Sequence, residues 1–372
     1  MTYKMNKLKK LEILNLWDSE NVTLEFNDNV TFLTGINGSG KSTVLNIIFD
    51  SLTSYKELSR NTSKSRFWST KSSFSNCFNY YSAVFPNVSN NSEAEKHLID
   101  LLPGAAYHDI DKVKGFEKLC FKDSELASRK NITYSDDLEK CRVASVHSAF
   151  FSGDDISGDD ISGDFERIKE LIPNCFLYQE DRCSLHKRTD KLEPFSKSFN
   201  YHNYKNSIDD RLIYIRNALQ NYESQIVEKL SDFSKKNNDP HSIVSFIKEY
   251  TETKDNVFEI LNRYFKQTNK EITKDEDNMI TARKVGSNKP IPWYLLSRGE
   301  KTIIYLFLVV LIYRDSVFLF DEPEISLHVN WQKNLIADLV SLAPNSQFII
   351  ATHSPDLIGG EWLPNCLLLS ED

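Results

Sequence analysis

Paired cysteines, long apolar runs and an excess of positive charge are all missing from this chain of 372 residues. Its six cysteines, Cys77, Cys120, Cys141, Cys175, Cys183 and Cys366, are scattered, and no two stand in C-x-x-C spacing. That argues against structural zinc and reads as reduced thiols in a cytoplasm. The longest apolar stretch, Ile303 to Ile312, is too short to span a bilayer, so it reads as a buried helix and no membrane partner is expected. Lysine and arginine (45) fall short of aspartate and glutamate (53). The net charge of −8 excludes a globally basic coat for nucleic acid but not a local basic patch. Met1 is followed by polar and basic residues, so no signal peptide is expected and the protein is read as cytoplasmic. At this length the chain can bury a sizeable core and hold one large or two ordinary domains.

What is present is concentrated near the two ends. Gly35-Ile36-Asn37-Gly38-Ser39-Gly40-Lys41-Ser42-Thr43 fits the phosphate-loop pattern G-x-x-x-x-G-K-[S/T]. Val30 to Thr34 before it reads as a strand, and Ser42 to about Leu52 after it as a helix. The glycines let the backbone curl around phosphates, and the helix start adds free N–H groups and partial positive charge. Asn37, Gly38, Ser39, Gly40, Lys41, Ser42 and Thr43 are therefore expected to bind a nucleoside triphosphate. Lys41 would reach the β- and γ-phosphates and Ser42 would ligate Mg²⁺.

The last eighty or so residues add a second set. Leu296-Ser297-Arg298-Gly299-Glu300 opens an apolar helix read as Thr302 to Tyr313. Val317-Phe318-Leu319-Phe320-Asp321-Glu322 reads as a strand ending in two acids. A helix from about Trp331 to Leu342 follows, then a strand, Phe348-Ile349-Ile350-Ala351-Thr352-His353, ending in a histidine. This alternation predicts a parallel α/β sheet, with the polar residues at the strand ends where ligands bind.

Together these elements resemble the ABC-type ATPase head: Walker A, a signature L-S-x-G-E, Walker B with its following glutamate, a D-loop region and a switch histidine. The signature ending in Glu, and the split of motifs between the two ends, are similar to the branch that includes SMC proteins, RecF and OLD-type ATPases. The run Asp321-Glu322-Pro323-Glu324-Ile325-Ser326-Leu327-His328, followed by Trp331-Gln332, is similar to the OLD-like and PtuA-like ATPases of bacterial anti-phage systems. The resemblance covers roughly residues 8–55 and 290–370. It implies an α/β fold, a P-loop ABC-ATPase head with a mixed or parallel sheet and an inserted antiparallel helical hairpin. The chain is accordingly divided into an N-terminal lobe (1–200), a hairpin arm (201–275) and a C-terminal lobe (276–372).

For chemistry, the resemblance implies ATP hydrolysis with Mg²⁺. Asp321 would hold the metal, Glu322 would polarise the attacking water, and His353 would contact the γ-phosphate. Ser297 and Gly299 would donate to the γ-phosphate of a second subunit, so that two heads clamp ATP between them. Arg298 replaces the small residue common within the signature; it either adds a charge-assisted bond to phosphate or points to solvent. His328 stands where many ABC heads carry the D-loop aspartate. Gln179, after the strand Phe176-Leu177-Tyr178, fits a glutamine that joins Mg²⁺ to the lobe–arm connection, although glutamines also end strands without such a role.

The resemblance further implies a sensor or scaffold in anti-phage defence, acting on a separately encoded effector: a Toprim or HNH nuclease, or a toxin. The chain ends 19 residues after His353, so a following Toprim domain is not expected within it. A competing reading is a RecF- or SMC-like DNA-binding ATPase in repair. A transporter ATPase fits poorly, because importers typically carry L-S-G-G-Q.

The middle is harder to read. Lys56, Arg60, Lys64, Arg66 and Lys71 lie near Phe67 and Trp68, which suits either a nucleic-acid backbone or a solvated strand surface. Residues 152–164 hold a tandem Ser-Gly-Asp-Asp-Ile repeat, read as an exposed loop with no EF-hand spacing. From Ser207, a helix N-cap, Ile208, Leu212, Ile215, Leu219, Tyr222, Ile226, Leu230 and Phe233 form one helical stripe to about residue 234. After a turn at Asn237–Pro240, a second helix is read from Ser242 to about Thr268. The two make an antiparallel hairpin with arms of roughly 40 Å.

Overall fold

Along strand β12 (Ser316–Asp321), Val317 and Leu319 face one way and Phe318 and Phe320 the other, and all four are fully buried. A strand with two apolar faces must be covered on both sides. The computed structural model, which describes residues 5–16, 20–53, 68–86, 143–151, 170–179, 183–186, 207–236 and 239–369, shows those two covers. β12 sits inside a six-stranded sheet of order β14-β3-β13-β12-β7-β8. Its strands are β3 (Val30–Thr34), β7 (Asn174–Tyr178), β8 (Cys183–His186), β12, β13 (Gln347–Ala351) and β14 (Cys366–Leu368). All neighbours run parallel except β8, which closes the edge antiparallel.

One face of this sheet packs on helix α1 (Lys41–Thr53) and, beyond it, on a five-stranded antiparallel sheet of order β2-β1-β4-β5-β6. Those strands are β1 (Leu8–Leu16), β2 (Glu20–Glu25), β4 (Trp68–Phe74), β5 (Phe78–Pro86) and β6 (Val143–Phe151). The core here joins Leu33, Leu177, Val317, Leu319 and Ile349 of the central sheet to Val44, Leu45, Ile48 and Phe49 of α1. Gln347 stitches the two sheets: its amide accepts from Leu8 N at 2.9 Å and donates to Leu8 O at 2.8 Å and to Asn27 O at 2.9 Å.

The other face is aromatic. Phe176, Phe318 and Phe348 stand side by side across β7, β12 and β13, with centroids 6.0 and 5.2 Å apart. They are covered by α4 (Arg298–Ile312), which is buried on all sides from Ile303 to Leu311, and by α5 (Val329–Leu342). The apolar run noted in the sequence is thus a central core helix. Among the described residues no helix is long and apolar enough to cross a membrane.

The expected hairpin is α2 (Ile208–Lys236) and α3 (Pro240–Lys266). Ser207 Oγ accepts the Asp210 N–H at 3.2 Å, as read from the sequence. The second helix starts earlier than read: Asp239 caps it, accepting from His241 N and Ser242 N, with Pro240 in the first turn where its missing N–H costs nothing. It also ends earlier, at Lys266. Leu212, Ile215 and Leu219 of α2 and Val257, Leu261 and Phe265 of α3 are buried against α4 and the central sheet, whereas Ile226, Leu230 and Phe233 are only half-buried. The stripe therefore covers the head with its base and projects with its tip. Glu223 pins the arms, bonded to Lys254 at 3.2 Å and Lys274 at 3.1 Å. A small antiparallel sheet, β9 (Lys270–Lys274), β10 (Ile280–Lys284) and β11 (Pro290–Ile291), leads from α3 towards the signature.

Residues 54–67, and with them most of the basic and aromatic cluster, lie outside the described residues, as does the 152–164 repeat.

Candidate functional site

Because β3, β13, β12 and β7 are neighbouring parallel strands, their C-terminal ends lie in a row. The chain leaves those ends at Gly35, Thr352, Glu322 and Gln179 in turn. Every strand-end residue singled out in the sequence is therefore brought to one edge of the sheet, where ligands bind in α/β folds.

Between β3 and α1, Ser39 N donates to Ile36 O at 3.2 Å, and Val44 N to Gly40 O at 2.8 Å starts the helix. Gly35 has no room for a side chain: a Cβ there would lie 2.4 Å from Leu369 O and 2.6 Å from Ser39 Oγ. Gly38, at the exposed tip with φ +90°, has nothing within 4 Å of that point. Asn37 and Ser42 are exposed, Gly40 and Thr43 half-buried, and Ser39 and Lys41 buried. Lys41 Nζ donates to Gly35 O at 3.1 Å and Ile36 O at 3.0 Å. Burial lowers the pKa of this ammonium, and the charges of Glu322 and Asp321 work against that fall. Lysine and both acids therefore share one electrostatic neighbourhood.

Asp321 is buried at the end of β12 and accepts Gln179 Nε2 at 2.9 Å. The register that pairs Tyr178 with Phe320 is what sets Gln179 beside it. Glu322 takes a left-handed backbone, φ +48°, while its N–H still donates to Ala351 O at 2.8 Å. That conformation is uncommon for a non-glycine residue and costs of order 1 kcal/mol or more. Glu322 Oε1 lies 3.7 Å from His353 Nε2, and both side chains are partly exposed. Glu324, two residues on, is buried instead and accepts the Thr352 hydroxyl.

The signature lies elsewhere on the head. Ser297 caps α4: its Oγ accepts Glu300 N at 3.3 Å, and Glu300 Oε2 accepts Ser297 N at 2.9 Å. Glu300 also accepts Lys270 Nζ at 2.6 Å and Thr268 Oγ1 at 3.2 Å. Burial pushes its carboxyl up, but the Lys270 ammonium and the Ser297 donors outweigh this and hold it below the ordinary carboxylate range. The glutamate of the signature is thus a buried brace that orients Ser297. The S-x-x-E spacing of a capping box carried that signal in the sequence, where only the family resemblance was read. Arg298 is exposed. His328 caps α5, its Nδ1 accepting Asn330 N at 3.2 Å.

Ser297 and Gly299 open on a cleft of about 610 Å³, shared with Gln267, Thr268, Ser326, His328, Asn330, Trp331, Lys333 and Asn334. None of Lys41, Ser42, Asp321, Glu322 or His353 lines it. The structure therefore brings Asn37 to Thr43, Gln179, Asp321, Glu322 and His353 to one edge, and Ser297 and Gly299 to a different cleft.

The family model of the AAA ATPase domain matches residues 6–358. A probable ATPase of retron Vc95 from Vibrio cholerae serotype O1 biovar El Tor is 26% identical over 204 residues, covering 45% of this chain and 39% of the relative. A probable ATPase of retron Ec83 from Escherichia coli is 39% identical over 75 residues, covering 17% and 14%. The chain thus spans well under half the length of the curated relatives it matches. Among solved structures, an Smc head bound to the C-terminal winged-helix domain of ScpA aligns with a TM-score of 0.44 at 15% identity over 97% of this chain and 93% of that one. An Smc head with an extended coiled coil, bound to a ScpA domain from Pyrococcus furiosus, aligns at 0.42 and 16% over 98% and 93%.

Proposed function

The chain belongs to the AAA ATPase domain family, and on that premise we propose that it binds ATP with Mg²⁺ and hydrolyses it between two copies of itself. The residues at the sheet edge fit such a ligand. They offer a glycine-tipped loop open to solvent, a cation, a hydroxyl at a helix start and two carboxylates. Ser42 and Asp321 would hold the metal, which would neutralise phosphate charge, with Gln179 bonded to Asp321. Lys41 would exchange the carbonyls of Gly35 and Ile36 for phosphate oxygens. Glu322 would orient the attacking water, and His353 beside it would contact the γ-phosphate. Positioning and electrostatics of this kind carry most of phosphoryl transfer.

The observation that carries the two-copy reading is the separation of the two sites. Ser297 and Gly299 line a cleft at the starts of α4 and α5 that holds none of the phosphate-loop or strand-end residues. A helix start with Ser, Asn and Lys side chains suits an anion. The γ-phosphate of ATP seated on a second copy supplies one. In this reading each head lends its signature to the other.

The same reading makes the protein the sensor or scaffold of an anti-phage system controlling a separate nuclease or toxin. Two partial relatives named as retron ATPases support a defence setting. The finer likeness to OLD-like and PtuA-like ATPases rests on the Asp321–His328 run.

Mixing separates shared from private sites. Ser297→Arg fills the cleft and Lys41→Ala empties the loop, so each is expected to be inactive alone. A mixed dimer holds one composite site with intact Lys41 facing intact Ser297, and partial ATPase activity should return. Activity per subunit should also fall on dilution. If neither mixing nor dilution changes the rate, the heads do not share sites. A DNA affinity that falls steeply with salt would favour the repair-clamp reading over the defence reading.

A further inference from the structure

Glu324 is a buried acid with half of its carboxyl unanswered. It is 8% exposed, and its Oε2 has no hydrogen-bond partner among the described residues. Burial pushes its carboxyl above the ordinary range; the Thr352 hydroxyl and the backbone N–H groups of Glu324 and His353 pull it back, and Glu322 adds to the rise. A carboxyl in such a place is costly as mere filling.

What it holds is the turn after β13. Thr352 Oγ1 donates to Glu324 and accepts Ser354 N at 2.9 Å. Ser354 Oγ donates to Gln332 Oε1 at 2.6 Å, and Gln332 Nε2 donates to Leu327 O at 3.0 Å. Both ends of the segment Glu324–Leu327 are therefore tied to the turn 352–354. His353 stands between two tied residues, 3.7 Å from Glu322.

We propose that Glu324 is a positioning residue for hydrolysis. Through Thr352 it fixes the turn that carries His353 against the loop that carries Glu322. Histidine and acid then keep one geometry while the heads close. Glu324 itself touches neither ATP nor water in this scheme, which rests on the roles given above to Glu322 and His353.

The test compares Glu324→Ala, Thr352→Val and the double variant with the conservative Glu324→Gln and Thr352→Ser. Steady-state ATPase rates, calorimetric ATP affinity and melting temperature are measured for each. Losing a hydrogen bond to a carboxylate that orients a catalytic pair should lower kcat by about 10- to 100-fold. ATP affinity should stay as in the wild type, because the phosphate loop is untouched. The double variant should be no slower than the slower single variant, since both break the same bond. Thr352→Ser keeps the hydroxyl and Glu324→Gln keeps an acceptor, so each should restore most of the rate.

A wild-type kcat in Glu324→Ala overturns the proposal. So does a multiplicative loss in the double variant, or a Glu324→Gln as slow as Glu322→Gln, which would make Glu324 the chemical acid. A lower melting temperature with unchanged kcat per bound ATP marks a structural role alone and also overturns it. A wild type no faster than Lys41→Ala overturns the hydrolysis reading itself, and this one with it.

Discussion

Replacing Gly299 with alanine should damage the protein, against the usual gain from removing a glycine in a helix. Alanine in place of helical glycine ordinarily stabilises by up to about 1 kcal/mol. Here a Cβ would lie 2.5 Å from Ser326 O and 3.5 Å from Ser326 C, and side-chain carbons essentially never come within 3.0 Å of such a neighbour. The clash is with backbone, so no rotamer change relieves it. Ser326 holds a left-handed φ of +72° and sits in the segment whose ends are tied to the turn 352–354. Either α4 or that segment must move by about half an ångström or more. Overpacking of this sort costs about 1–3 kcal/mol, which at about 2 cal/mol/K of unfolding entropy per residue lowers the melting temperature of a chain this long by roughly 1–4 °C. The larger effect should be on rate. The displaced groups are the signature on one side and the segment after Glu322 on the other, and a misplacement near 1 Å costs about 100-fold in a positioned reaction. The assay is phosphate release and thermal melting of wild type, Gly299→Ala and Gly360→Ala, where the added carbon meets nothing within 4 Å. If Gly299→Ala melts and turns over like wild type, or if Gly360→Ala suffers equally, the reasoning from close approach fails.

Three further outcomes are expected. Lys41→Ala should lose ATP binding in calorimetry, since it removes the cation bonded to the loop carbonyls that phosphate would replace; wild-type affinity would sink the phosphate-loop assignment. Glu322→Gln should bind ATP normally, turn over about 100-fold slower or worse, and accumulate as a closed dimer in size-exclusion chromatography; near-normal turnover would remove Glu322 from the reaction. Glu300, held below its unfolded pKa by Lys270 and Ser297, contributes stability that is present above the unfolded carboxylate value and lost as pH falls through the folded one. Glu300→Gln should therefore melt lower than wild type at neutral pH, with the gap narrowing on acidification below about pH 4; a gap that stays constant would count against the Lys270 pairing.

The local parts of this molecule were legible and the distant ones were not. Gly35 to Thr43 declares itself because every feature of a phosphate loop lies within nine residues. Ser207 declares α2 for the same reason, as a cap followed by acids and a regular stripe. The start of α3 was misplaced because Ser242 also looks like a cap; Asp239 followed by Pro240 is the stronger local signal. The five-stranded sheet escaped because strands such as Trp68–Phe74 are rich in Ser and Thr, and their pairing with β1 and β5 is set by partners far along the chain. Gln179 meets Asp321 only through the register between β7 and β12, which joins residues 142 positions apart and leaves no local pattern. The bonds from Glu324 to Thr352 and from Gln332 to Ser354 cross 28 and 22 positions and leave no local pattern to read.

Gln347 gives the architecture an order in time. Its amide completes the backbone bonds of Leu8, 339 positions earlier, and β13, which carries it, is also the strand that separates β3 from β12. On a ribosome adding about 5–20 residues per second, β1 and β3 wait roughly 20–70 s for that partner. Over that interval the phosphate loop has its own residues but not the strand beside it, and the apolar faces of β3 and α1 lack their full cover. Until β13 emerges the nascent chain is thus exposed to misassociation, and the loop after β3 lacks the strand that sets it beside β12. A holding chaperone would act on this protein within that interval, before β13 emerges, and a slow stretch of translation after β13 would give the late strand time to insert between β3 and β12.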